Sequence, residues 1–528
     1  MKSDVNRRRF FRAIAAGSVG AGAAAPASQG GSGKGRPAGR QAESPVPQRW
    51  IPSPAGGEWE AIVLEKGRHL FVDDYLVAGS QNLAATLHHP RRLDKPIVLG
   101  IGSEHNNFQP FLTVLYDAAM GRFRMWYCTR KSLKDVVRFS YIESQDGIHW
   151  DAPYKELLEI YGFPFGVTDS GLDHPDPARR YKLTYWERSN PAVHYLKDGN
   201  CGVGVAFSPD GLNWTKHGPH PVSPDLWKYS VLGDPQKKGD IKWREYAANC
   251  LMSTWDPVRK LHVGYVKSWT WPPGEMGYIS SSSDGLGRRL TSMTTSPDFI
   301  HWSTPARCGL PWADDFPSLE FYGCRPKPRG NQMLILTCIL DETIKTRERS
   351  HGIGYTVLST SADLVHWNRM KKPWLDRAAG DPEAADHAMA WAADLITVGD
   401  EEYLYYGAYS RGHKDFTDRT IKFARLRKDG FVSRDAGSEQ GRLITPLVRL
   451  NGDKITVNAN IRGDLRLRIL GRDSKPAMGF GNGEVSPLKG NSTSHVAKAR
   501  GMLSELKGQP VRLEFSLRDA ELYAFELL

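Results

Sequence analysis

Acidic residues stand just ahead of several apolar, aromatic runs in this chain: Glu104-His105, Asp169, Asp173-His174, Asp234, Asp314-Asp315, Glu320-Phe321-Tyr322, Asp381 and Asp386-His387. Two carboxyl groups that face one bond can divide the labour of breaking it. The protonated one gives its proton to the leaving group, and the ionised one attacks or activates water. Glu320 is the first choice for such work. It begins an apolar strand beside aromatic residues, where burial could raise its pKa. Asp315, Asp169 and Glu104 follow. The competing reading of each Asp is a turn former that bonds its own backbone. Trp269, Tyr322 and Trp391 offer flat faces for stacking, with core packing as the alternative. His105, His387 and His413, with Asp386, offer contacts to hydroxyls, phosphate or a metal ion. No HExxH spacing points to a metal site, and whether calcium supports the fold is left open.

The elements that must position these residues are marked by a repeat. Ser144-Gln145-Asp146-Gly147-Ile148-His149-Trp150 recurs as Ser208-Pro209-Asp210-Gly211-Leu212-Asn213-Trp214, as Ser296-Pro297-Asp298-Phe299-Ile300-His301-Trp302, and as Ser361-Ala362-Asp363-Leu364-Val365-His366-Trp367. A weaker turn is Lys428-Asp429-Gly430-Phe431. The Trp spacings are 64, 88 and 65 residues, a period that marks a propeller or an array. Asp and Ser can close the turn through the backbone, Gly accepts a positive φ, and Trp packs between sheets. The motif is therefore read as structural. Strand-like runs precede each copy, among them Arg122–Tyr127, Tyr181–Trp186, Leu261–Val266, Met333–Thr337 and Tyr403–Gly407. Strand, turn, strand and motif turn make one blade, and five such units predict a five-bladed β-propeller over residues 60–437. Beyond it, Ile455–Ala459, Leu465–Ile469 and Val511–Phe515 alternate with a period of two. They predict a β-sandwich over 440–528, either an accessory carbohydrate-binding module or a structural lid.

Composition agrees with an all-β chain. Among 528 residues there are 16 Trp, 20 Tyr, 52 Gly and 34 Pro, which suits short strands and tight turns. The net charge of +11 is partly due to the first 27 residues, and the other basic residues are scattered. Nucleic acid would favour a basic stripe, so it is not the expected partner. An anionic substrate is the alternative to an ordinary mixed surface. None of the six cysteines forms a CxxC pair, and buried thiols are expected. Asn6-Arg7-Arg8-Arg9-Phe10-Phe11-Arg12, an Ala-rich stretch and Ala25-Pro26-Ala27 have the order of a twin-arginine signal peptide over residues 1–27. Residues 28–50 read as a flexible linker. The mature chain is thus expected outside the cytoplasm, periplasmic or extracellular, with no membrane span.

The copies at 296–302 and 361–367 resemble the S-x-DLVHW blade turn of the family 32 and family 43 glycoside hydrolases. Met125-Trp126-Tyr127 with the copy at 144–150 resembles the family 130 glycosidases and phosphorylases. Leu70-Phe71-Val72-Asp73-Asp74-Tyr75-Leu76 with Leu522-Tyr523-Ala524-Phe525 resembles exported family 32-like proteins. The resemblance covers about residues 65–528. It implies a five-bladed propeller whose central funnel cleaves glycosidic bonds of an extracellular poly- or oligosaccharide with paired carboxylates and no required cofactor. Phosphorolysis is the variant, with Arg130 as a candidate phosphate ligand, and a non-catalytic glycan-binding propeller is the other alternative. The family 32 signatures WMNDPNG, RDP and EC are absent, so catalytic residues do not carry over by motif. The repeat is one residue shorter than the S-x-D-x-G-x-x-W turn of six-bladed sialidases, which sets that family aside.

Overall fold

The computed structural model describes residues 61–528 apart from 96, 98–110, 130–136, 161, 189–200, 219–229, 233–242, 272–287, 310–314, 316–317, 348–349, 414 and 416–418. The twin-arginine segment, the linker, Glu104, His105 and Arg130 lie outside the described residues. Among those described, the chain is all-β: strands are its regular structure, with only short 3₁₀ turns at Pro177–Arg179 and Leu503–Leu506. No helix is long and apolar enough to cross a membrane. The five cysteines whose side chains are described, Cys128, Cys250, Cys308, Cys324 and Cys338, are buried.

Antiparallel meanders follow one another among the described residues in sheets of four, four, five and eight strands, the eight-stranded sheet joining two meanders through the parallel pairing of Gly354 with Met389. The first runs Leu112–Asp117, Arg122–Thr129, Val137–Ser144, Trp150–Ile160, and the second Gly162–Asp169, Tyr181–Arg188, Cys201–Ser208, Thr215–Lys216. The third runs Ser230–Leu232, Trp243–Asp256, Leu261–Trp271, Arg288–Ser296, Ala306–Cys308. The fourth is Glu320–Arg329, Gln332–Arg347, Ser350–Ser361, Asn368–Arg369. The fifth, Met389–Val398, Glu401–Tyr409 and Arg419–Arg427, is completed by Arg91–Arg92 from the other end of the chain.

The motif turns form as their chemistry requires. The Asp210 carboxylate accepts the backbone N–H groups of Leu212 and Asn213, both at 2.8 Å, and the Trp214 indole donates to the Gly211 carbonyl at 2.9 Å. These donors hold Asp210 below its ordinary range, at about 2, against the opposing effect of its burial. The third position after Ser has φ of 76° and 75° at Gly147 and Gly211. Phe299 and Leu364 take the same left-handed conformation at 68° and 72°, where a bulky side chain is strained. Both are buried, and Phe299 packs edge-on against Trp302, which offsets the strain.

Each turn also touches the preceding meander. Trp214 packs on Phe139, Phe299 on Phe207, and Trp367 on Tyr265, whose hydroxyl donates to the Leu364 carbonyl. The turn of the first meander meets the last: Trp150 packs on Tyr405, and the Tyr405 hydroxyl donates to the Gly147 carbonyl at 2.9 Å. The opening strands converge on one buried side chain. The Arg325 guanidinium donates to the carbonyls of Ala393 at 2.7 Å, Phe165 at 3.4 Å, and Leu112. Four meanders are thereby tied through a single cation.

The remaining strands make a ten-stranded sheet. Its spine is the pair Ile455–Gly471 and Val511–Leu527, each 17 residues long. It takes in Ile62–Leu64, Gly67–Leu70, Gly79–Gln81 and Ala84–Leu87, and also Val432–Ala436, so it is not confined to residues 440–528. The N-terminal strands supply the edges that the C-terminal segment lacks. One face packs Leu443, Leu465, Leu467, Ile469, Leu513, Phe515 and Leu517 into a common core.

Candidate functional site

β-Bulges shape the opening strands of the second, fourth and fifth meanders and the second strand of the third. The register slips at Phe165 in the second meander, around Cys250 in the third, at Tyr322 in the fourth and at Ala393 in the fifth. A bulge leaves one residue out of the ladder and re-aims its side chain. At Tyr322 it turns the ring against Trp391, stacked at 4.5 Å between centroids and 12° between planes. Cys250 has φ of 65°, and burial pushes its thiol up, which disfavours the nucleophilic thiolate.

A charged cluster surrounds that aromatic pair. Glu320 opens the fourth meander and is wholly buried. Its carboxylate accepts the Arg289 backbone N–H at 3.2 Å and pairs with the Arg289 guanidinium. The same guanidinium reaches Glu342 at 3.4 Å, and Glu342 accepts Nδ1–H of His413 at 2.5 Å. Burial opposes the charge on Arg289, but Glu320 and Glu342 outweigh it and raise the pKa of its guanidinium. His413 sits edge-on to Tyr322 at 4.8 Å. The Lys267 ammonium lies 4.4 Å from the Tyr322 ring centre, and the Arg419 guanidinium donates to the His413 carbonyl at 2.6 Å. Burial pushes the Tyr322 phenol well up, so it stays a neutral donor.

The arrangement has definite chemical capacities. Two glutamates share one guanidinium, and the second holds a histidine by Nδ1. A carboxylate in that position fixes the imidazole so that Nε2 is the ring nitrogen left to exchange a proton. Glu320 is buried beside aromatic residues and is one arm of an ion-pair network.

The structure brings together Glu320, Tyr322, Trp391 and His413 from the sequence-derived set. The other candidates lie elsewhere or are engaged differently. Asp169 pairs with Arg180 through two bonds of 2.9 Å and accepts the Gly171 N–H. These partners hold it below its ordinary range although its burial works the other way. It faces Tyr181, which faces Ser208, so it sits at the motif-turn end of its meander. Glu320, facing Leu340, is at the end away from the motif turn of its own. Asp169 is thus a turn residue, because a loop that reverses direction needs its amides bonded. Asp315 pairs with the Arg369 guanidinium. Asp386 is buried against Arg92 at 3.2 Å, Lys422 at 3.3 Å and the Tyr406 hydroxyl at 3.0 Å, joining the N-terminal strand to the fifth meander. Nδ1 of His387 faces the carbonyls of Asp381 and Ala378 at 3.0 and 3.3 Å. The Trp391 indole donates to the Ile339 carbonyl at 2.8 Å, so it is packed in the core as well as stacked. The backbone of Trp269 lies in the strand Leu261–Trp271, and its side chain is outside the described residues.

Sequence reasoning missed Arg289, Glu342 and Lys267. The strand-like run Met333–Thr337 is part of a strand that extends to Arg347 and carries Glu342 to the Glu320 end. The acidic pair Asp341-Glu342 directly after an apolar run was the available signal. Among the described residues, no group of three or more His, Cys, Asp or Glu side chains is placed to hold a metal.

No family model matches the chain, and no curated protein matches it in sequence. Solved structures with a similar arrangement include a β-1,2-mannobiose phosphorylase from Listeria innocua, 12% identical with a TM-score of 0.42, covering 65% of this chain and 97% of that one. Another is a glycosyl hydrolase from Bacteroides ovatus, 15% identical with a TM-score of 0.39, covering 65% and 94%. A third comes from a study of family 130 mannoside phosphorylases and of glycoside hydrolases that target β-1,2 mannosidic linkages in Candida mannan. It is 13% identical with a TM-score of 0.39, covering 65% and 94%.

Proposed function

We propose that this chain is a five-bladed β-propeller with an appended C-terminal β-sandwich, and that it cleaves glycosidic bonds in an extracellular carbohydrate. The ring of contacts from each motif turn to the preceding meander, with the first turn on the last meander, supports five blades. The observation that carries the activity is the cluster of Glu320, Glu342 and His413 around Arg289, beside the stacked Tyr322 and Trp391. Glycoside cleavage needs an acid for the leaving oxygen and a base or nucleophile opposite it. Here Glu342 with His413 is assigned the proton-transfer role. Glu320 and Arg289 set the charge around it, and the aromatic pair borders the sugar. The twin-arginine motif at 6–12 supports export, so substrate would be met outside the cytoplasm.

Phosphorolysis is the second reading. It is favoured by the convergence of Arg289, Lys267 and Arg419 on the same cluster, since an attacking phosphate would need cations to hold it. The test is release of reducing sugar from a panel of plant and algal polysaccharides, with and without inorganic phosphate, for the wild type and Glu342→Gln. Release by the wild type, reduced at least a hundredfold in the variant, supports the assignment. Dependence on phosphate selects phosphorolysis. Equal release by the variant removes Glu342 from the chemistry, and binding without release makes this a glycan-binding propeller.

A further inference from the structure

The outward face of the C-terminal sheet carries charge that the funnel chemistry does not use. Along the strand Val511–Leu527 the odd positions from Leu513 to Leu517 are core, while Arg512, Glu514, Ser516 and Arg518 lie on the opposite face. The paired strand places Asp464, Arg466 and Arg468 on that same face, and Gly441–Ile444 adds Arg442. Five arginines thus share one sheet surface with two carboxylates, Glu514 and Asp464. A continuous row runs Gln81, Arg442, Ser516, Arg466 across four paired strands. Strands lie about 4.8 Å apart, so this row spans roughly 14 Å. The edge strand Gly79–Gln81 is exposed throughout, so nothing bulky walls off that end.

This cationic face is built rather than incidental. Glu514 is fully buried, and its two oxygens accept Nε–H of Arg442 and of Arg468, each at 2.6 Å. Arg468 also donates to the Asn482 side chain at 3.0 Å. Arg442 remains half exposed, and its Nη1 has no partner among the described residues. A mobile surface arginine must lose rotamer freedom to hold a ligand. Here Glu514 has already fixed two of the five, which lowers the cost of ligand binding.

We propose that this sheet face binds a sulfated polysaccharide, as an anchoring site separate from the funnel. The net positive charge calls for an anion, and the row calls for an extended one. All five cations are guanidinium, which is weakly hydrated and presents paired N–H groups. That matches the weakly hydrated oxygens of a sulfate ester better than a strongly hydrated uronate. The proposal does not depend on the catalytic reading, because binding is measured without turnover.

The test is equilibrium binding of the full chain to dextran sulfate, uncharged dextran, polygalacturonate and duplex DNA at one ionic strength. The variant Arg466→Gln/Arg512→Gln/Arg518→Gln spares both partners of Glu514. A second variant, Gln81→Glu, adds opposing charge on the exposed edge of that face, opposite Arg442, and removes no side-chain ion pair. The wild type is expected to bind dextran sulfate at least tenfold more tightly than the other three polymers, and progressively less as salt is raised. Each variant is expected to lose at least tenfold of that affinity with its thermal unfolding unchanged. Unchanged affinity in the charge-addition variant overturns the site. Equal binding of polygalacturonate overturns the sulfate assignment, and equal binding of DNA overturns the carbohydrate.

Discussion

Replacing Arg289 with Met should be far more damaging than its single position suggests, and the damage should be partly repaired by a second substitution. The guanidinium is the shared partner of Glu320 and Glu342, both buried. Removing one partner of a buried ion pair costs about 3–5 kcal/mol, because a charge is left without compensation. Glu342 keeps His413, whereas Glu320 loses its guanidinium pair and keeps the backbone N–H of residue 289, so most of the penalty falls on Glu320. Glu320→Gln removes that stranded charge and keeps the shape. The double variant Arg289→Met/Glu320→Gln should therefore be more stable than Arg289→Met alone, with a coupling of about 1.5–3 kcal/mol. Urea unfolding of the four proteins, followed by tryptophan fluorescence, measures the cycle. If the two single effects add to within about 0.5 kcal/mol, the residues do not act as a pair, and the account of the site is wrong.

Other outcomes can be stated briefly. Asp169→Asn should leave sugar release unchanged and cost under about 1 kcal/mol, since its pair with Arg180 is partly exposed and sits at the motif-turn end. Asp210→Ala should cost about 1–2 kcal/mol in thermal unfolding with no loss of activity, as expected for a lost cap of two backbone amides. His69 and His262 are both lowered to about 4, chiefly by burial, from an ordinary 6.5. The folded state resists their protonation and the unfolded state does not. Their contribution to stability is complete above pH 6.5 and is lost as pH falls toward 4, at up to about 1.4 kcal/mol per pH unit for each. His262→Phe should flatten part of that slope in unfolding measured from pH 7 to 4, and an unchanged slope would remove His262 from it.

The motif turns were legible because their chemistry is local. Asp210 bonds amides two and three residues away, and such a pattern is written in consecutive letters. Glycine at Gly147 and Gly211 also revealed the left-handed position. Phe299 and Leu364 hid it, because burial rather than backbone freedom stabilises them there. Glu320, Tyr322, Trp391 and His413 were found through residue type and neighbouring aromatics. Arg289, Glu342 and Lys267 were not. Arg289 is 31 residues from Glu320, and His413 is 71 from Glu342, so their meeting depends on strand length and on bulges that no local pattern announces. Arg325 was hidden for the same reason, since it draws carbonyls from strands up to 213 residues away.

The strand Gly67–Leu70 pairs with residues 524–527, and Arg91–Arg92 pairs with the strand Arg419–Arg427. These pairings set the order of events during synthesis. The earliest strands leave the ribosome with no partner and wait for nearly the whole chain to be made. Closure is then a single late step joining the two ends. Folding should be slow to begin, because contacts of such long range must be closed before they repay their entropy. Once closed, fraying at either end must break pairing with the other, so removal of residues 522–528 should loosen the first strands as much as the last.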